Sequence, residues 1–271
     1  MNPKDLSLAA LASTRFQFIT ASVDAGIVML TMNRPEKLNA CHPGVCAEIG
    51  YVLDCCEADA AARVTIITGA GDRAFSAGFD LQYADDHPEA YDDLMFGSEV
   101  VRRPDRRKPV IAAVNGVALG FGFEIALACD LIIATSKAKF GLPEVKVGLA
   151  AMAGGVSRLT REVGPKRALA MVMTGDFVSA AEGYRLGFVN QVVDGDVLVA
   201  AREWADKIAN NAPLSVIASK QMVYRSLDLA DITQELDPHQ YPAVLEGLAS
   251  EDAQEGRRAF LEKRKPLWKG R

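Results

Sequence analysis

Two glutamates in this chain stand in turns shaped by glycine and proline. Glu124 closes the run Asn115-Gly116-Val117-Ala118-Leu119-Gly120-Phe121-Gly122-Phe123-Glu124, and Glu144 closes Phe140-Gly141-Leu142-Pro143-Glu144. A pair of carboxyl groups facing one pocket can hold a water molecule and move a proton, which is what adding water across a conjugated double bond needs. Glycines beside them let backbone N–H groups approach a substrate oxygen. Taken singly, a glutamate on a short apolar helix is more often a salt-bridged or surface residue, and one after proline more often caps a turn. Their joint placement beside glycine-rich turns favours acyl-group chemistry.

A second turn, Ala74-Phe75-Ser76-Ala77-Gly78-Phe79-Asp80-Leu81, follows a strand ending at Thr68. Small residues after a strand present N–H groups at its tip. The stretch beginning at Val110 repeats the arrangement, because Gly120-Phe121-Gly122 opens a helix whose N-terminal dipole favours developing negative charge. One donor from each turn would form an oxyanion hole.

The elements that must carry these turns follow from periodicity. Gly26–Met32, Val64–Thr68, Val110–Val114 and Leu131–Ala134 read as strands, alternating with helices over Pro43–Ala58, about Glu89–Arg103 and Gly122–Cys129. Asn33-Arg34-Pro35 ends the first strand, since proline cannot continue a ladder. Beyond residue 195 the pattern is helical: Val197–Asn210, Leu214–Leu227 and Glu251–Lys263. The reading is an α/β chain with residues 1–195 as catalytic core and 196–271 as a helical region that packs on it or on a neighbouring subunit.

Composition narrows the function class. The 271 residues, 49% of them hydrophobic, can bury a large core. A net charge of −5 disfavours a nucleic-acid binder, which needs a basic face, and the Lys/Arg run at 102–108 reads as a solvated face. Five cysteines (41, 46, 55, 56 and 129) lack the spacing of a metal site and read as buried, reduced thiols of a cytoplasmic protein. His42, His87 and His239 are scattered, with no nucleophile motif near them, so no metal is expected. The apolar segment Leu6–Ala12 is short for a secretory signal, Asp5 is wrong for its flank, and no run reaches the roughly 18 apolar residues of a membrane span.

From about residue 16 onward the chain resembles the enoyl-CoA hydratase/isomerase (crotonase) family. The matching stretches are Asn33-Arg34-Pro35 with Asn39-Ala40, Ala74–Leu81, Lys108–Gly116, Ala138–Glu144, Gly154-Gly155, Thr174-Gly175 and Glu262-Lys263-Arg264. Met171–Gly175, Ser250–Ala253, Phe260–Arg264 and Trp268–Arg271 look most like carnitinyl-CoA dehydratases. The resemblance implies a ββα-superhelix core with a C-terminal helical region, assembled as a homotrimer or a hexamer (a dimer of trimers). It implies hydration of a 2-enoyl-CoA thioester, or dehydration of a 3-hydroxyacyl-CoA, with CoA part of the substrate and no separate cofactor. Glu124 would activate the water and Glu144 exchange a proton with substrate carbon, beneath the N–H groups of Phe79 and Phe121. Lys37, Leu38, Ala40, Ala77, Asp80, Leu81 and Gly120 would line the substrate path. Phe260 and Lys263 would reach the adenine and phosphates of CoA, from a neighbouring subunit.

Isomerisation or other acyl-CoA chemistry of that family, such as carnitinyl-CoA dehydration, is the alternative. Gly69-Ala70-Gly71-Asp72-Arg73-Ala74 fits a dinucleotide fingerprint, but a second turn follows it where an NAD-dependent dehydrogenase needs a helix. A catalytically silent assembly or RNA-associated member of the fold is disfavoured by the acidic balance and the retained glutamates. Two departures from the family pattern concern the acyl pocket: Phe121 stands between two glycines, where its ring could narrow the pocket or turn into the core, and Ala151-Met152 replaces a common Pro-Gly, placing a flexible thioether at an expected pocket wall.

Overall fold

The computed structural model describes residues 6–91, 97–101, 106–229 and 231–271. The strands are β1 (Ile19–Asp24), β2 (Ile27–Met32), β3 (Val64–Gly69), β4 (Ala74–Ser76), β5 (Val110–Val114), β6 (Val117–Leu119), β7 (Leu131–Thr135), β8 (Lys139–Gly141), β9 (Val178–Ser179) and β10 (Gln191–Val193). The helices of the first half are α1 (Leu8–Ser13), α2 (Pro43–Ala58), α3 (Leu81–Asp86), α4 (Ser98–Val101) and α5 (Phe121–Ala128). Those of the second half are α6 (Gly155–Val163), α7 (Pro165–Thr174), α8 (Ala180–Leu186), α9 (Val197–Ala209), α10 (Pro213–Ser226), α11 (Ile232–Glu235), α12 (Pro242–Leu248) and α13 (Glu251–Leu261).

Two sheets share the chain. One has the order β1-β2-β3-β5-β7-β10, and the other the order β4-β6-β8-β9. Only β1–β2 and β8–β9 are antiparallel; the remaining neighbours run parallel. Each of β3, β5 and β7 is followed by a short strand of the second sheet, so the chain coils as a superhelix with one strand per turn in each sheet. The turn after β3 therefore leads to β4 and not to a helix, which removes the dinucleotide-binding reading of Gly69–Ala74.

Apolar residues fill both faces of the larger sheet. Val28, Leu30, Ile67, Ala112 and Val114 point towards α2 and α5, while Ile27, Val64, Ile66, Ile111 and Ile133 point towards α9. Burial on both faces explains why β5 is an unbroken apolar run and why β3 interrupts its apolar residues only with the buried Thr65 and Thr68. Helix α9, although beyond residue 195, packs directly on β3, β5 and β7. All five cysteines are buried. Among the described residues no helix is long and apolar enough to cross a membrane. The expected helix over 89–103 is represented by a 3-10 turn at Pro88–Tyr91 and by α4; residues 92–96 and 102–105, with much of the Lys/Arg run, lie outside the described residues.

Close packing holds the second sheet under α5. A Cβ at Gly122 would lie 2.3 Å from the Ser76 carbonyl oxygen, and Asn115 donates from Nδ2 to the carbonyls of Gly69 and Gly71 at 2.8 and 2.7 Å. Gly122→Ala is therefore expected to destabilise the chain by about 1–3 kcal/mol, read as a lower urea midpoint with unchanged slope. A wild-type midpoint would show that α5 can ride away from β4 without cost.

Candidate active site

The parallel order β4-β6-β8 places three strand exits side by side, on the order of 5 Å apart. Ala77–Asp80 follows β4, Gly120 and Phe121 follow β6, and Leu142–Glu144 follows β8. Equivalent positions in successive superhelical turns thus carry both expected amide donors and one of the acids. A side chain at Gly78 would meet the Leu119 carbonyl oxygen and the Phe121 amide nitrogen, 2.7 and 3.3 Å away. One at Gly120 would meet Glu144 Oε1 at 3.2 Å.

The local backbone turns Phe79 and Phe121 outward from their ladders. Cys41 and Phe79 form an isolated parallel bridge in which the Cys41 amide donates to the Gly78 carbonyl and the Asp80 amide to the Cys41 carbonyl. That pattern directs the Phe79 amide to the side opposite Cys41. Phe121 is the first residue of α5, after the N-cap Gly120 at φ 53°. Its N–H belongs to the helix's N-terminal turn, where the partial positive charge is concentrated. The Phe121 ring is in the core, 4% exposed and packed directly on Gly97. Met152 stands 70% exposed.

Glu124 sits one helical turn into α5, 3% exposed. Its Oε1 accepts a hydrogen bond from the Gly155 amide at 2.8 Å. A Cβ at Gly155 would lie 2.6 Å from Glu124 Cγ, so only glycine lets the turn come this near. Burial pushes the Glu124 carboxyl up to about 7, against the stabilising Gly155 amide; the neighbouring Glu144 charge raises it further, and the Ala153 backbone and Arg158 oppose. Burial also raises Glu144, on the 3-10 turn Pro143–Val147, and its Oε2 is buried with no hydrogen-bond partner among the described residues. Glu124 thus carries the effect of the Glu144 charge in a weakly solvated space, and burial disfavours the charged form of both acids.

The other expected site residues divide into two groups. The 3-10 turn Pro35–Lys37 leads into Leu38 and Asn39, both left-handed at φ 50° and 54°, a shape fixed by Asn39 Nδ2 donating to the carbonyls of Ala70 and Ala74. Ala77 donates from its amide to the Leu38 carbonyl at 2.9 Å, so Lys37–Ala40 runs alongside Ala77–Leu81. Asp80 caps α3 by accepting from the Tyr83 amide, and it pairs with Arg34 at 2.9 Å. Burial opposes its charge, but the Tyr83 amide and the Arg34 guanidinium hold its carboxyl below the usual range. Its interactions are those of a scaffold residue. Phe260 and Lys263, by contrast, lie at the exposed end of α13, which packs on α12 and the C-terminal residues. No contact among the described residues brings them to the acids. Sequence reasoning passed over Arg158 and the role of Gly155 as Glu124's donor; the pair Gly154-Gly155 was the available signal.

A family model described as enoyl-CoA hydratase/isomerase matches residues 22–271. Carnitinyl-CoA dehydratase of Proteus mirabilis is 41% identical over 264 residues, covering 94% of this chain and 99% of that protein. (E)-benzylidenesuccinyl-CoA hydratase of Thauera aromatica is 39% identical, covering 93% and 99%. The crystal structure of an enoyl-CoA hydratase from Bacillus anthracis superposes with a TM-score of 0.86 at 34% identity, covering 94% of this chain and all of that one.

The raised Glu124 pKa has a stability consequence. A carboxyl whose folded pKa lies above its unfolded value stabilises the fold below about pH 4.5, and that contribution is lost as pH rises through about 7. Glu124→Gln, which can still accept from Gly155, is expected to match the wild type near pH 4.5 and to exceed it at pH 8 by up to about 3 kcal/mol. Urea unfolding at both pH values checks this; a variant less stable at pH 8 would contradict the dry environment assigned to Glu124.

Proposed function

This chain belongs to the enoyl-CoA hydratase/isomerase family, and on that premise we propose that Glu124 and Glu144 add water to, or remove it from, the Cα–Cβ bond of a CoA thioester beneath the amides of Phe79 and Phe121. The observation that carries the reading is the convergence of the strand exits that hold Glu144 and both amides on the helix that holds Glu124. The enzyme is a hydratase/dehydratase of acyl-CoA substrates.

In dehydration, Glu144 as a carboxylate takes the Cα proton, and the electron pair of that C–H bond moves into the thioester to give an enolate. The Phe79 and Phe121 amides donate to the enolate oxygen, with the α5 N-terminus adding its dipole. As the enolate collapses to the conjugated double bond, the Cβ–O bond breaks and the hydroxyl leaves with the proton of Glu124. Hydration is the reverse: Glu124 takes a proton from water as its oxygen joins Cβ, and Glu144 returns one to Cα. Both directions use a pair that holds one proton, exchanged between its members. The resting state favoured near neutrality, with the proton on Glu124, is the one that starts dehydration.

The relatives act on different acyl groups, a carnitinyl and a benzylidenesuccinyl thioester, so their names do not select a substrate here. With the Phe121 ring in the core, the pocket is not narrowed from that side. We assign Lys37, Leu38, Ala40, Ala77, Leu81 and Gly120 to the substrate path, with Asp80 fixing its wall. Phe260 and Lys263 would meet the CoA moiety of another copy's substrate in a trimer or dimer of trimers. Support for that comes from the apolar side chains exposed in the same C-terminal region, Leu236, Leu248, Leu261 and Leu267, each at least 70% exposed. Residues 196–271 then serve two purposes, α9 sealing the core and the later helices meeting the neighbour.

Glu124→Gln and Glu144→Gln are each expected to lower kcat for crotonyl-CoA, or for the best substrate in a panel of enoyl-CoAs, by a factor of about 10² to 10⁴ with KM changed only a few-fold. A variant that keeps wild-type turnover overturns the roles. Because the loss of the pair's last proton falls near pH 7, kcat/KM should decline above about pH 7 in both directions with the same midpoint. Flat profiles up to pH 9 would contradict the shared proton. Lys263→Ala should raise KM for CoA thioesters and leave their pantetheine analogues unaffected, whereas equal effects on both would remove Lys263 from the CoA site.

A further inference from the structure

The geometry points to Arg158 as a positioning residue for Glu124: its guanidinium clamps the Ala153–Gly155 turn to the end of α4, and so fixes the backbone groups that hold the catalytic carboxyl. This inference rests on the assignment of Glu124 as the water-side acid.

Arg158 lies in the first turn of α6, and its amide donates to the Gly154 carbonyl at 3.0 Å. The side chain folds back over the turn it has just left. Nη1 donates to the Ala153 carbonyl at 3.2 Å and Nη2 to the Val101 carbonyl at the end of α4. Gly154, at φ 97°, gives it room: a Cβ there would lie 2.2 Å from Nη1. The next residue, Gly155, is the one whose amide donates to Glu124 Oε1. A chain of direct contacts thus runs from the Val101 carbonyl through the guanidinium and the 153–155 turn to the carboxyl.

The planar fork explains why arginine stands here. Two carbonyls from different elements are bridged by two N–H groups held at fixed separation, which an ammonium on a flexible stem cannot reproduce. The positive charge also acts on the carboxyl, since Arg158 works against the burial and the Glu144 charge that raise Glu124. Among the described residues, Glu144 and Arg158 are the charged groups with the largest effect on Glu124. Both functions of Arg158 push the same way: removing it loosens the amide donor and withdraws a cation, and each makes the neutral acid more favourable.

The test is the pH profile of kcat/KM for three enzymes: wild type, Arg158→Lys and Arg158→Met. Arg158→Met is expected to lower the plateau about ten- to hundredfold and to move the alkaline limb to higher pH. Arg158→Lys, which keeps the charge and nearly the volume, is expected to move the limb in the same direction but less far than Arg158→Met, while losing part of the plateau with the lost fork. A wild-type limb in folded Arg158→Met overturns the proposal whatever its plateau, as does a wild-type plateau in Arg158→Lys. If Arg158→Met does not fold, the lysine enzyme decides; if neither folds, Arg158 is a structural residue and the proposal fails. Glu124→Gln separates the two levels of inference. Should Glu124→Gln retain turnover, the assignment of the acids fails; should it lose turnover while the Arg158 variants behave as wild type, only the positioning role fails.

Discussion

Two carboxyl groups confined where water solvates them poorly cannot both carry charge at modest cost, and the rest of the site is organised around that constraint. Burial raises Glu124 and Glu144, and the charge of Glu144 raises Glu124 further. On the proposed roles the pair keeps a single proton near neutrality, and with it an acid and a base available together. Backbone donors moderate the effect: without the Gly155 amide the burial of Glu124 would be opposed by fewer groups, and its carboxylate would be harder to reach during the cycle.

The superhelix supplies the geometry through repetition. Because β4, β6 and β8 are parallel neighbours, what each turn presents at its exit is brought together without long loops. Glycines where side chains would collide with carbonyls allow α5 to lie on β4 and the 153–155 turn to lie on Glu124. The same close packing makes the site intolerant of added methyl groups, so its geometry and part of the chain's stability rest on the same contacts.

Much of this was legible in the sequence, for identifiable reasons. Val64–Thr68 and Val110–Val114 are rich in β-branched residues and have the length of buried strands, and Pro43–Ala58 carries a proline at its first turn. The turns around Phe79 and Phe121 stand out because glycines cluster after strands. The second sheet was not legible: β4, β6, β8 and β9 are two or three residues long, too short for any period to show, and they exist only because neighbours in the fold pair with them. Phe121 had two open fates, and its partner Gly97 lies far back in the chain. Arg158 carries no local sign of its role, since the carbonyl it holds at Val101 is 57 residues away.

The central claim is that the two acids share a proton near neutrality, and it can be observed without turnover. Carbon-13 spectra of the enzyme labelled at the glutamate carboxyl carbons, with Glu124 and Glu144 assigned by the loss of their signals in the glutamine variants, report each protonation directly. A Glu124 signal that titrates near pH 7, with Glu144 responding in the same transition, is the expected result. Two independent titrations near pH 4.5 would contradict the account.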